Sequence, residues 1–427
     1  MKVLFAIPSL PQDTVSVGAF RKGSVPVSGS VGSFLLVADA LARNGHSVGV
    51  WVRSGQKLVD APLECYGSLE AALSNRWDRV VLASWDDEAT LAALTRAGVA
   101  PLMWTHVDVS RTTLLQLEAG LLDGMVVVSD AARVTLLHSS HRGRIGRVYN
   151  ALNPLFVAPA AAPDRYHSRT VVFAGYFGYS KGAHLVLTMW PEVRRRIENA
   201  RLVIAGSAKL YSGNAKIGPL GLALPEFEER YLNPIIAEFG NLENAGITVS
   251  GLLTPRQLRD LYSSSALGFV NFNWRMSTET FCCVGVEMLA CQLPVFSFAA
   301  GALPETIGRT GGAVLCTKPD LQAAADVAAR LLGDPDWLER LGRAGREYVV
   351  REYDVDKITG LWGELLRADS SALARLAGAW RGSRTVRYWL ERAVGALGSG
   401  VRYRALLDGL REGRARARAS GGAAPQR

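Results

Sequence analysis

Apolar residues fall along this chain in short, nearly unbroken runs, separated by stretches in which they recur every three or four positions. The runs at 3–8, 47–52, 79–84, 101–104 and 125–129 predict buried parallel strands, and 33–44, closed by Gly45, predicts an amphipathic helix. Around Tyr149-Asn150 the rhythm breaks, and 158–165, rich in Ala and Pro, reads as a linker. It then resumes with strands at 170–175, 201–206, 248–251, 267–271 and 294–298. Helices follow at 183–195, 256–264, 283–291, 320–332 and 336–350. The excursion at 209–233 carries Gly, Pro and mixed charge and reads as surface. Strand and helix in alternation mean an α/β chain of two Rossmann-like, doubly wound parallel-sheet domains, 1–157 and 158–352. Helices at 353–380 are expected to cross back to the first domain, with a basic helical or disordered tail at 381–427. Ligands of such sheets collect at the carboxyl ends of the strands, and two units joined by a linker face each other across a cleft.

Composition agrees with this picture. A chain of 427 residues exceeds one ordinary core, and 48% hydrophobic with 20% charged residues is a globular balance. Pro8 and Pro11 interrupt the first apolar run, so it reads as a strand rather than a signal peptide. No run reaches the roughly 18–20 apolar residues of a spanning helix, which points to the cytoplasm. Five cysteines are an odd number with no zinc or disulfide spacing, so buried thiols are expected. From Leu366 onward there are thirteen arginines against four acids, so the whole net charge of +9 falls in the tail. Trp380, Arg381, Arg384, Arg387, Tyr388 and Trp389 mix aromatic and basic character there. That suits peripheral contact with an anionic membrane face, or else a helix packed on the first domain. Nucleic acid is not an expected partner, because no recognition motif accompanies the arginines.

The chemistry-bearing candidates cluster in the second half. Glu279 and Glu287 are separated by seven residues, with Phe281, Cys282 and Cys283 between them at the predicted start of a helix. Free backbone N–H groups at a helix N-terminus favour an anion by geometry and dipole. Alone, such a pair could be a capping acid and a solvated helical glutamate. Lys181 follows a predicted strand in the loop from Gly175 to Gly182, and Gly29-Ser30-Val31-Gly32 precedes the first predicted helix. His106 follows the predicted strand at 101–104, at its carboxyl end, where a structural role competes with a functional one. Asp86-Asp87-Glu88 reads as a capped helix start rather than a metal site.

The stretch from Glu279 to Pro294, continuing through Gly301-Ala302-Leu303-Pro304-Glu305, resembles the signature of retaining GT-B glycosyltransferases, specifically family four. The likeness spans about residues 1–365 and takes in the Gly29–Gly32 segment, Asn44-Gly45-His46, Val127-Val128-Ser129, Tyr149-Asn150, Ala174-Gly175 and Ser180-Lys181-Gly182. It implies a GT-B fold and transfer of a hexose-type sugar from a UDP- or GDP-sugar to a glycan, lipid or small-molecule hydroxyl. No cofactor or metal is implied. By this resemblance Lys181 contacts the donor phosphates, Glu279 the sugar hydroxyls and Glu287 the ribose. The amides of Phe281, Cys282 and Cys283 cradle the diphosphate, Gly32 faces donor or acceptor, and His106 lies beside the transferring sugar. Relatives usually carry an arginine where this chain has Tyr176, and Arg275 is the nearest residue to supply that charge. The glycines that flank the family's phenylalanine are Thr280 and Cys282 here. A GT-B sugar-nucleotide epimerase and a non-catalytic nucleotide-sugar-binding protein are the competing readings.

Overall fold

In the computed structural model, residues 1–60, 62–83, 88–137, 139–157, 163–209, 215–274 and 279–376 are described. Arg275, Asp86, Asp87 and the tail from 377 onward, basic aromatic stretch included, lie outside them. Fifteen short strands appear among the described residues: β1 (Lys2–Ile7), β2 (Thr14–Ser16), β3 (Ser47–Val52), β4 (Lys57–Val59), β5 (Glu64–Tyr66), β6 (Arg79–Ala83), β7 (Leu102–Thr105), β8 (Gly124–Val127), β9 (Ile145–Arg147), β10 (Thr170–Ala174), β11 (Arg201–Ala205), β12 (Ile247–Val249), β13 (Leu267–Phe269), β14 (Val295–Phe298) and β15 (Ala313–Cys316). The first sheet runs β5-β3-β1-β6-β7-β8-β9, the second β12-β11-β10-β13-β14-β15, and every pairing is parallel. Central strands such as β1 are buried from the second residue to the last, because helices cover both faces and no side is left for polar side chains. β2 and β4 form a small parallel pair of their own.

Two departures from the sequence reading have simple causes. Gly29-Ser30-Val31-Gly32 is not a loop before the first long helix but its first turn, since that helix spans Gly29–Arg43. Ser28 caps it by accepting from the Val31 amide, and the apolar periodicity that marks a helix begins only one turn later. The edge strands β5, β9 and β15 are only three or four residues long, too short to stand out as runs, and they form because a neighbouring strand offers an open edge.

The domains are joined by more than the linker. Glu305, on the short helix Leu303–Thr306 that follows β14, sends its carboxylate into the first domain. There it accepts from the Asp130 and Ala131 amides, both at 2.7 Å, and from the Tyr149 hydroxyl at 2.8 Å. Burial raises this carboxyl above its usual range despite those donors. Tyr149, Phe281 and Tyr353 stack below the junction, with centroids 5.3 to 6.0 Å apart. The helix Val355–Arg367 lies on Gly29–Arg43 and places Trp362 against Trp104 at 4.4 Å. Arg79 then holds the end of that helix through the Leu366 and Ala368 carbonyls.

Removing the Glu305 carboxylate leaves three buried donors without an acceptor. Glu305→Ala is expected to cost about 3 kcal/mol of stability, read as a lowered urea midpoint.

Candidate functional site

The carboxyl ends of both sheets open onto one cleft of about 930 Å³ between the domains. Lys181, Glu279, Phe281, Cys282, Cys283, Glu287, His106 and Gly32 all line it, so it gathers residues from four widely separated parts of the chain. Tyr176 is not among them. Its ring packs over Gly178, where an added Cβ would come within 2.3 Å of it.

Lys181 is aimed by the glycine that follows it. Gly182 has φ of +76°, and a Cβ there would meet the Asn273 amide at 2.5 Å and the Phe272 backbone at 2.7 Å. Only glycine combines that left-handed conformation with so close an approach of two backbones. The Lys181 ammonium reaches the Glu279 carboxylate at 2.9 Å, and the Asn271 amide donates to the same oxygen at 2.7 Å. Asn271 itself is buried with φ of +30°, a strained position for a side-chain-bearing residue. The Glu279 carbonyl accepts from Ala302, so the loop carrying this carboxylate is tied to the segment that ends in Glu305.

Beyond Glu279 the helix Cys283–Ala290 begins without a side-chain cap. Among the described residues no acceptor takes the Cys282 or Val284 amide, so both remain available to an anion at the positive end of the helix. The first domain approaches this point closely: a Cβ on Gly29 would lie 3.4 Å from the Cys283 sulfur. Burial pushes the Cys283 thiol up to about 12 and raises Cys282 well above its usual range, so neither is a ready nucleophile.

The electrostatics of the floor follow from burial as well. Glu287, half-buried in the helix, has its carboxyl pushed up to about 8 by desolvation. His106 sits between the Phe34 and Trp104 rings, at 5.3 and 4.9 Å, and burial lowers it to about 4. It is therefore neutral at pH 7, with Nε2–H donating to the Asn150 Oδ1 at 3.0 Å. The His106 carbonyl accepts from the Thr280 hydroxyl of the opposite domain. Lys209 also lines the cleft, four residues beyond β11, a cation that the sequence reading left inside a featureless excursion. Asn150, Asn271 and Thr280 were likewise unmarked as side chains. Among the described residues no three His, Cys, Asp or Glu side chains converge as a metal site needs. A second cavity of about 700 Å³, edged by Arg169, Arg194 and Arg201, lies at the amino ends of β10 and β11, away from this chemistry.

This is the layout of a GT-B fold, and comparison with known proteins agrees. Sucrose-phosphate synthase from Thermosynechococcus elongatus matches with a TM-score of 0.64 and 19% identity, covering 86% of this chain and 98% of that one. Anabaena HepE in complex with UDP-glucose matches at 0.60 and 16%, covering 86% and 99%. Residues 163–348 match the family described as glycosyl transferases group 1. The GDP-mannose-dependent alpha-(1-6)-phosphatidylinositol monomannoside mannosyltransferase of Mycobacterium tuberculosis is 24% identical over 291 residues, 63% of this chain and 68% of that protein. The MMP alpha-(1->4)-mannosyltransferase of Mycolicibacterium hassiacum is 31% identical over 144 residues, 34% of this chain and 33% of that protein. Residues 163–348 thus resemble the glycosyl transferases group 1 family, and the chain has the GT-B architecture.

Glu287 gives a pH signature in the ligand-free protein. Its folded carboxyl keeps a proton up to about pH 8, whereas the unfolded one loses it near 4.5. The folded state therefore binds the extra proton between those values, and stability falls as pH rises through the window. Glu287→Gln is expected to remove this contribution, so that the variant's Tm gains on the wild type by roughly 2–5 °C between pH 5.5 and 8.5 in a thermal melt series.

Proposed function

We propose that this protein transfers a hexose-type sugar from a nucleoside-diphosphate donor to a hydroxyl acceptor with retention of the anomeric configuration, and holds its donor without a metal ion. The observation that carries the reading is the meeting of Lys181, Glu279 and the uncapped amides at Cys282 and Val284 in one interdomain cleft. These are two positive ends and one carboxylate, the groups a pyrophosphate joined to a sugar requires. The relatives named above use GDP-mannose or are mannosyltransferases, and a structural neighbour holds UDP-glucose, which favours a nucleotide sugar as donor.

In the ligand-free cleft Lys181 neutralises Glu279. An arriving diphosphate attracts the ammonium more strongly than one carboxylate does, and so frees Glu279 to accept from sugar hydroxyls. As the glycosidic bond to the diphosphate breaks, negative charge grows on the leaving oxygen. Lys181 and the helix amides then stabilise that charge more than they stabilised the intact donor, which is what lowers a barrier. Lys209 stands within the same cleft and adds a second cation, in keeping with the absence of an arginine at Tyr176. Glu287, deeper in the helix, is the residue for the ribose. The acceptor hydroxyl enters beside His106 on the same face as the departing diphosphate. Closure of the cleft excludes water that would otherwise take the sugar.

Lys181→Ala is expected to lower kcat for sugar transfer by about 100-fold or more, in an assay that offers labelled UDP- and GDP-sugars with a mixed acceptor panel. Release of free nucleoside diphosphate with a labelled glycoside supports the proposal. Conversion of the donor to its epimer, or binding without turnover, would favour the competing readings instead.

No described helix is long and apolar enough to cross a membrane. We further propose a cytoplasmic enzyme that meets an anionic membrane surface through its arginine-rich tail, residues 381–427. Full-length protein is expected to float with vesicles containing phosphatidylserine, and protein cut after residue 380 is expected to stay behind. Equal flotation of the two would defeat the idea.

A further inference from the structure

The two walls of the cleft differ in kind. Every lysine and every acidic residue that lines it among the described residues, Lys181, Lys209, Glu279 and Glu287, belongs to the second domain. The first-domain wall contributes Leu10, Pro11, Phe20, Val27, Val31 and Val107, with neutral hydrogen-bonding groups between them. Arg21, the basic residue on the short helix that carries Phe20, is turned away into a 2.9 Å contact with the buried Asp39. His106 on this wall is uncharged at neutral pH.

Val107 is the most exposed large hydrophobic residue described, at 57%, and Leu252, next at 50%, lines the same cleft from the other side. Apolar side chains held this open in a molecule whose other valines are mostly in its core mark a surface that a ligand covers. Val107 also follows His106 directly, so the apolar strip begins where the accepting hydroxyl meets the donor sugar. An anion pressed against this wall would lose its hydration with no cation to replace it. A neutral hydroxyl compound would find the serines for its polar edge and the strip for its apolar one.

We infer that the acceptor is an uncharged hydroxyl compound with an apolar stretch adjoining the accepting hydroxyl, of the chemical class of an alkyl glycoside. This rests on the transferase reading above and narrows it. Ser28 and Ser30 face the acceptor's hydroxyls, and the apolar stretch runs outward along Val107 and Val27. Hydrogen bonds from the serines orient the sugar-like part, while burial of the stretch provides the affinity.

The test uses the full chain with labelled UDP-glucose and GDP-mannose. The acceptors are methyl, butyl and octyl glucoside, below their micelle concentrations, beside glucose 6-phosphate and glycerol 3-phosphate. Nucleoside diphosphate binding is measured separately by calorimetry. With either donor, kcat/KM should rise at least about tenfold from the methyl to the octyl glycoside, and both phosphorylated compounds should fall below the methyl glycoside. Val107→Lys should shrink the octyl-to-methyl ratio toward one, a change that a merely structural role for Val107 would not produce. A flat dependence on chain length, or a phosphorylated acceptor that equals or exceeds the glycosides, overturns the inference. So does nucleotide binding with no alkyl glycoside accepted, and in that case the donor reading stands. Failure to bind either nucleoside diphosphate removes the transferase reading itself, and the acceptor inference with it.

Discussion

The Glu305 carboxylate, buried and shared between two amides and a phenol of the other domain, is the contact on which the geometry of this cleft depends. A buried carboxylate is costly unless each lone pair finds a donor, so the first domain must present Asp130, Ala131 and Tyr149 in one arrangement. That requirement is transmitted along the chain over a few residues. Glu305 lies three residues after Ala302, whose amide holds the Glu279 carbonyl, and the Glu279 carboxylate in turn holds Lys181. A carboxylate in one domain interface thus positions another in the cleft. Tyr149 takes part twice, as a donor to Glu305 and as a ring against Phe281 and Tyr353. The phenylalanine of the family signature is therefore held by packing, and its neighbours' amides are presented by a rigid support rather than by a free loop.

The same construction explains why charge lies on one wall only. The second domain places its uncapped helix N-terminus, lysines and carboxylates there. The first domain contributes helix Gly29–Arg43, which approaches the Cys283 sulfur so closely at Gly29 that a side chain at that position would fill the gap. With the crossing helix Val355–Arg367 packed behind it, that wall is anchored by Trp104, Phe34 and Trp362. Its exposed apolar residues follow from a large aromatic core brought up to the cleft, and they set the chemical character of that wall.

Much of this was legible in the sequence because parallel strands buried on both faces appear as unbroken apolar runs. β1, β3, β6, β10 and β14 were visible for that reason. The short edge strands β5 and β15 were not, since their formation depends on a neighbour's open hydrogen bonds. Lys181, Glu279 and Glu287 stood out through their place in a family signature, and the structure puts all three on the cleft. Lys209, Asn271 and Thr280 did not, although each lines the cleft. Asn271 shows the difficulty clearly. Its role comes from a left-handed backbone that turns an amide onto Glu279, and neither composition nor periodicity records a dihedral angle. Tyr176 shows the reverse: a position marked by a missing arginine proves to be a ring resting on Gly178, outside the cleft lining.

Burial also limits the chemistry the site can perform. His106 is held too acidic to take a proton at neutral pH, and the two thiols are held too basic to attack. Strong acid–base or covalent catalysis from these groups is thereby removed, and what remains is fixed charge: an ammonium, helix amides and a carboxylate arranged before the donor arrives. Under the proposed same-face transfer, the acceptor's proton then goes to the departing phosphate oxygen, which gains basicity as the glycosidic bond lengthens. With His106 and the two thiols kept from titrating near neutral pH, that proton path is left to the substrates, and an uncharged acceptor against a neutral wall suits it, because no additional charge has to be desolvated as the domains close.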